Sequence, residues 1–217
     1  MCERRLNIRL PFYTLGEEIF NAVSHGLGAA FSVAALVLLV VRARGLPAKI
    51  CVSLFGASMI LLYTVSCIYH ALSRNLEGKK VLRVIDHCNI YVLVLGTYIP
   101  ASLLGVGGTL GWILFGVTGA FTALGITLTA VRVDRFQVSQ VICHLVSGWS
   151  ILLGLPRLMR TMGKAGVLYL LLGGILYSIG SALYALGSRR RYAHSVFHVF
   201  CLLGTFCHFW GIYRYLI

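Results

Sequence analysis

The stretch ICVSLFGASMILLYTVSCIYH occupies residues 50–70 and contains no Asp, Glu, Lys or Arg. A helix of this length rises about 30 Å, which matches the hydrocarbon core of a bilayer. In lipid a helix also satisfies its own backbone hydrogen-bonding groups. The stretch therefore predicts a transmembrane helix that ends at His70.

Comparable apolar stretches recur along nearly the whole chain, of which 59% is hydrophobic. The seven predicted spans are Phe20–Val41, Ile50–His70, Val84–Leu104, Thr109–Val131, Phe136–Leu155, Gly166–Leu186 and Ala193–Tyr213. They lack the period-two alternation of membrane barrels and leave no room for a soluble domain. We therefore expect an all-α membrane protein, in which residues 1–217 form a single seven-transmembrane helix bundle. The first span is expected to act as a signal-anchor, since no small-residue cleavage site is evident.

The basic residues that give the net charge of +13 lie between the spans. There they orient the protein in the membrane, so we expect no nucleic-acid partner. With an inner N-terminus, the inner segments hold twelve basic residues, namely Arg4, Arg5, Arg9, Arg74, Lys79, Lys80, Arg83, Arg132, Arg135, Arg189, Arg190 and Arg191. The outer segments hold seven, namely Arg42, Arg44, Lys49, Arg157, Arg160, Lys164 and Arg214. This excess predicts a cytoplasmic N-terminus and a C-terminus outside.

Ionisable residues inside a membrane are rare and point to function. His70 ends the second span, Asp86 begins the third, and the pair His194 and His198 begins the seventh. In the alternating topology all four lie at the inner face. Histidines at i and i+4 share one side of a helix, so the three imidazoles are predicted to converge on a metal ion.

Imidazole ligands without a cysteine pair or a carboxylate cluster favour Zn²⁺ over Mg²⁺ or Ca²⁺. Three protein ligands leave a fourth position for water, as in catalytic zinc sites. Asp86 is a candidate general base for that water. Ser66 lies one turn from His70 and is a candidate donor to a developing oxyanion. Helix packing by a small hydroxyl explains Ser66 equally well.

A second polar group opens the first span and consists of Glu17, Glu18, Asn21 and His25. Spacings of three and four residues place these side chains on one helical face at the inner side. They are predicted either to orient the ligand histidines from behind or to form a polar cap that ties the first helix to its neighbours. The remaining histidines, His87, His144 and His208, are expected to be structural.

In these positions the chain resembles the hemolysin III family, within the progestin and adipoQ receptor superfamily, a group related to the alkaline ceramidases. The matching motifs are Glu17-Glu18-x-x-Asn21-x-x-Ser24-His25-Gly26, Ser66-x-x-x-His70, Asp86-His87-x-x-Ile90-Tyr91, Gly96-Thr97-Tyr98-x-Pro100, and His194-x-x-x-His198 with His208-Phe209. The short N-terminus and the Asp-His pair look like the bacterial branch, which implies the bacterial plasma (inner) membrane. The resemblance implies a seven-helix fold and a zinc ion held by His70, His194 and His198, with Asp86 and Ser66 beside it.

Three functions follow as alternatives. The first is a zinc-dependent hydrolase that cleaves an amide or ester of a membrane lipid. The second is a non-enzymatic sensor, homeostasis or receptor-like protein in which zinc is structural and a lipid is the ligand. The third is a cytolysin or pore-former, which the sequence supports least because no span carries a charged face that would line a pore.

Overall fold

The computed structural model of the chain describes residues 8–133, 137–186 and 190–217. These residues form eight α-helices, of which α6 is short and continues the line of α5. The helices are α1 (Leu15–Arg42), α2 (Leu46–Ala71), α3 (Glu77–Pro100), α4 (Gly108–Arg132), α5 (Gln137–Trp149), α6 (Leu155–Thr161), α7 (Gly163–Leu186) and α8 (Ala193–Tyr215). Within the described residues, seven helical stretches are long and apolar enough to cross a membrane, so the predicted seven-helix bundle is confirmed. Phe136, the predicted start of the fifth span, lies outside the described residues.

Helix α1 begins five residues before the apolar run because a capping box fixes its start. The Glu17 N–H donates to Thr14 Oγ1 at 3.4 Å, and the Thr14 N–H and hydroxyl both donate to Glu17 Oε2 at 2.8 Å. The cap therefore places Glu17 and Glu18 inside the first helical turns. It also brings the polar face that continues to His25 into the bundle, where Glu17 and His25 are buried.

Two spans change helical form partway. The third continues past Pro100 as a π-helix over Ala101–Val106 and ends at Gly107 and Gly108, whose positive φ angles of 65° and 56° favour glycine. The fifth passes through a 3-10 helix at Ser150–Gly154 before α6. The π-helix lies at the end of the third span opposite to His70, and the 3-10 helix lies about halfway along the fifth span, so α2 and α8, which carry the histidine cluster, are regular.

The spans pack in chain order around a ring, which α8 closes by contacting α1. Of the seven spans, those of α2, α3 and α8 are the most buried within the protein. These are the three helices that carry His70, Asp86 and the His194–His198 pair. Helix α3 begins seven residues earlier than expected, so Asp86 lies about 13 Å along the helix from its first residue.

Candidate metal centre

Helices α2 and α8 bring three histidines together at one end of the bundle. Ligand atoms of His70, His194 and His198 lie within 4.8 Å of one another, and all three residues are buried. Their ring centroids are 5.4 Å apart for His70–His194, 4.9 Å for His70–His198 and 4.7 Å for His194–His198. The residues from two distant parts of the chain therefore form one cluster, as the spacing predicts.

The donor atoms of this cluster fit a zinc ion. His194 Nε2 and His198 Nε2 are 3.1 Å apart. Two nitrogens bound to a tetrahedral zinc at 2.0–2.1 Å stand about 3.3 Å apart, close to this distance. His70 Nε2 is buried and has no hydrogen-bond partner within the protein, which leaves its lone pair available to a metal. A proton shared between His194 and His198 satisfies the 3.1 Å distance as well, and metal analysis separates the two interpretations.

Glu18 holds His70 from behind. The His70 Nδ1–H donates to Glu18 Oε2 at 2.7 Å, because a carboxylate only accepts. Lys79 Nζ donates to Glu18 Oε1 at 2.6 Å and to the Leu72 carbonyl at 2.8 Å. The hydrogen bond from His70 Nδ1 to Glu18 fixes the tautomer in which His70 Nε2 carries the free lone pair. A metal-binding histidine usually has such a partner on its other ring nitrogen.

Glu17 contacts the start of α8, whereas Glu18 contacts His70. Besides capping α1, Glu17 Oε1 accepts a hydrogen bond of 2.7 Å from the backbone N–H of Tyr192. Tyr192 has a left-handed conformation with φ 59° and directly precedes α8. Glu17 therefore anchors the start of the helix that carries His194 and His198, and it corresponds to the polar tie between helices that the sequence offered as the alternative.

The other two members of the α1 polar face lie deeper. His25 stacks on His198, with centroids 3.7 Å apart and an interplanar angle of 22°, and it meets Tyr63 edge-on at 5.0 Å. Both ring nitrogens of His25 and both amide atoms of Asn21 are buried without a hydrogen-bond partner within the protein. His25 thus fixes the plane of the His198 ring by stacking.

Asp86 and Ser66 face an internal cavity of about 1140 Å³, a volume that includes its opening to the exterior. His25 and His198 line the same cavity, which extends past Leu93 and Tyr98 to His208. Ser66 Oγ is buried and has no hydrogen-bond partner within the protein. Asp86 Oδ2 lies 3.6 Å from His87 Nδ1. The cavity joins the histidine cluster, a carboxylate and a hydroxyl to a mostly apolar interior.

Two residues near the cluster, Tyr13 and Lys79, were not predicted as part of the site. Tyr13 stacks on His194 with centroids 4.9 Å apart and an angle of 20°, and burial raises the pKa of its phenol above the ordinary value. Lys79 was counted only as a basic residue of an inner segment. Its spacing of seven residues from Asp86 on α3 is a signal that places both on one helical face. Nothing in the pattern around Tyr13 marks it.

Replacing Glu18 by alanine is expected to weaken zinc binding by about 10- to 100-fold, because His70 loses the group that orients it. The affinity is measured by competition with a chromogenic chelator. Glu77→Gln is the control, since the exposed Glu77 pairs only with Lys80 among the hydrogen bonds of the described residues. Equal zinc affinities for Glu18→Ala and the wild type would show that Glu18 does not support the metal.

Comparison with known proteins agrees with these features. The family model described as "Haemolysin-III related" matches residues 13–209. A "Hemolysin-3 homolog" of Bacillus subtilis (strain 168) is 35% identical over 208 residues, which cover 94% of this chain and 97% of the relative. "Hemolysin-3" of Bacillus cereus is 33% identical over 204 residues, or 93% and 92%. The "Adiponectin receptor protein" of Drosophila melanogaster is 23% identical over 198 residues, or 76% of this chain and 42% of that protein.

Proposed function

We propose a lipid-hydrolase function for this chain, which belongs to the haemolysin-III-related family and is an integral multi-pass membrane protein. The proposed reaction is the zinc-dependent cleavage of an amide or ester bond in a membrane lipid. One observation carries the proposal. One member of the buried histidine cluster, His198, lines a mostly apolar cavity, and Asp86 and Ser66 line the same cavity.

Zinc held by His70, His194 and His198 would supply a Lewis acid that polarises the scissile carbonyl and makes a water molecule more acidic. The Asp86 carboxylate would orient the attacking water and take its proton as the water oxygen bonds to the carbonyl carbon. Ser66 would donate a hydrogen bond to the developing oxyanion. Asp86 would then return the proton to the leaving nitrogen or oxygen as its bond to carbon breaks, which releases a fatty acid and an amine or alcohol.

The cavity supports a lipid substrate in particular. From Asp86 to Ala101, both on its wall, the third span rises about 22 Å, which suits an alkyl chain. Most of the wall between these positions is apolar, including Ile90, Leu93 and Val94. An acyl chain would bury its apolar surface there while its carbonyl stays beside His198.

The test is a purified, zinc-loaded protein in lipid nanodiscs, incubated with a panel of lipid amides and esters. We expect release of free fatty acid, loss of release after chelation, and recovery after zinc is returned. Mass spectrometry of the products identifies the bond that is cleaved. A protein that carries zinc but releases no fatty acid from any member of the panel would contradict the hydrolase.

The second candidate, a non-enzymatic membrane protein with structural zinc, also has an observation in its favour. The three imidazoles come from α2 and α8, which are two of the three most buried spans. A metal ion at the cluster would clamp these two helices together. The two candidates differ in the stability that they predict for the metal-free protein.

The proposed orientation places the cluster at the cytoplasmic end of the bundle, in the bacterial plasma membrane, with the C-terminus outside. The excess of basic residues in the inner segments supports it. Alkaline phosphatase fused after Ile217 should be active in a bacterial host, and green fluorescent protein fused there should not fluoresce. The reverse pattern would overturn the orientation.

A further inference from the structure

The far end of the cavity carries a histidine that the proposed reaction does not use. His208 is ten residues beyond His198 on α8, so the two rings are about 15 Å apart along the helix axis. His194, His198, Cys201, Thr205 and His208 follow one another at spacings of three or four residues and share the buried face of α8. His208 is 8% exposed and lines the same cavity as His198.

The hydrogen bond of His208 fixes which ring nitrogen is free. His208 Nε2 lies 3.1 Å from the Leu170 carbonyl oxygen. A carbonyl only accepts, so Nε2 carries the hydrogen and the neutral ring leaves Nδ1 as a bare acceptor. Nδ1 is buried and has no hydrogen-bond partner within the protein. Burying an acceptor without a hydrogen-bond partner costs free energy, so a ligand that donates a hydrogen bond to Nδ1 would be favoured here.

Two glycines hold the ring in this orientation. A Cβ at Gly173 would overlap the His208 ring, and a Cβ at Gly204 would stand 3.1 Å from the Tyr177 ring. Helices α7 and α8 therefore approach closely at this level, and the ring of His208 lies against the backbone of α7. Rotation of the ring, which would bring Nδ1 toward Leu170, is restricted by this packing.

A chain of hydroxyl groups beside His208 ends in a second acceptor. The Tyr63 hydroxyl donates to the Cys201 carbonyl at 3.2 Å. Thr205 Oγ1 is 2.5 Å from the Tyr63 hydroxyl and 2.6 Å from that of Tyr177. With Tyr63 donating to Cys201, Thr205 donates to Tyr63 and Tyr177 donates to Thr205. The Tyr177 oxygen, on the cavity wall, keeps lone pairs but has no hydrogen left to give.

We infer that His208 and Tyr177 form a subsite for a hydroxyl group carried on the alkyl chain of the bound lipid. The subsite presents acceptors and therefore selects a donor. The inference rests on the proposed lipid function, because the chain must enter from the histidine cluster with its carbonyl beside His198. With the carbonyl there, the hydroxyl of the alkyl chain has to lie at the level of His208 along α8. A water molecule is the alternative occupant.

The experiment compares a saturated fatty acid with its monohydroxylated isomers, which differ only in the position of the hydroxyl. Binding to the zinc-loaded protein is measured by displacement of a fluorescent fatty acid. We expect one isomer to bind about three- to tenfold more tightly than the unsubstituted acid. The other isomers should bind more weakly than that acid, because they bury an unpaired hydroxyl. The same isomers tested as N-acyl amides show whether the subsite serves the intact lipid or the released acid.

His208→Phe keeps an aromatic ring and removes both nitrogens. It should abolish the preference for one hydroxylated isomer without weakening the binding of the unsubstituted acid. His144→Phe, at another histidine of the cavity wall, should leave the preference intact. If His208→Phe fails to fold, the ranking of isomers by the wild-type protein decides alone. Binding of the unsubstituted acid with no gain for any isomer overturns this subsite and leaves the lipid proposal standing. Absence of binding by every acid overturns both.

Discussion

Replacing His198 by alanine is expected to remove zinc from the protein. The free energy of zinc binding is about 10–16 kcal/mol in small zinc domains with four protein ligands, so one ligand contributes about 2.5–4 kcal/mol, or about a hundredfold or more in affinity. His198 also holds its place by stacking on His25, and its Nε2 faces that of His194 at 3.1 Å. Metal content per chain, measured by mass spectrometry after dialysis, should fall from about one to near zero.

The matched control is His144→Ala, a histidine of the same cavity that stacks on Tyr91 and is outside the cluster. It should retain zinc. If His198→Ala keeps zinc with the affinity of the wild type, the cluster is not the metal site, and the 3.1 Å contact is a hydrogen bond between two imidazoles. In that case the hydrolase proposal falls with the metal site.

The thermal stability of His198→Ala separates the two candidate functions. If zinc only clamps α2 to α8, its loss should lower the unfolding midpoint in detergent by many degrees, because the free energy of zinc binding then stabilises the fold. If zinc serves a reaction, the bundle should stay folded and lose only turnover. The contacts of Glu18 with His70 and of Glu17 with Tyr192, which tie α1 to α2 and to the start of α8 without metal, favour the second outcome.

The sequence predicted the bundle because apolar stretches of bilayer length leave a chain little choice of structure. It predicted the meeting of His70, His194 and His198 because helical spacing and alternating topology place them at one depth. The boundaries were less predictable. The start of α1 depends on the hydrogen bonds between Thr14 and Glu17, and the start of α3 depends on polar residues that precede its apolar run.

The partners of the cluster were harder to assign, because they depend on how each helix is rotated about its axis. Glu17 and Glu18 are neighbours in sequence, yet one caps α1 and holds Tyr192 while the other contacts His70. His208 looked structural because its hydrogen bond with Leu170 and the free Nδ1 exist only after α7 packs against α8. Side-chain direction across a helix interface is the information that one sequence does not contain.

The largest expected effect on turnover belongs to Asp86. Asp86→Asn keeps the size of the side chain but removes its ability to take a proton, which should lower the hydrolysis rate by about 10²- to 10⁴-fold. Zinc content should stay at the wild-type level, because the three imidazoles are untouched. The measurement pairs a single-turnover assay on the lipid cleaved best by the wild type with metal analysis of the same sample.

Glu77→Gln is the control for Asp86→Asn, because it neutralises another carboxylate of α3 at an exposed position. It should retain both zinc and turnover. Two results would contradict the assignment of Asp86. Turnover within a few-fold of the wild type would mean that another group takes the proton, for which His87, at 3.6 Å from Asp86, is the nearest candidate on α3. Loss of zinc together with turnover would mean that Asp86 belongs to the metal site itself, so that its carboxylate would occupy the position proposed here for the attacking water.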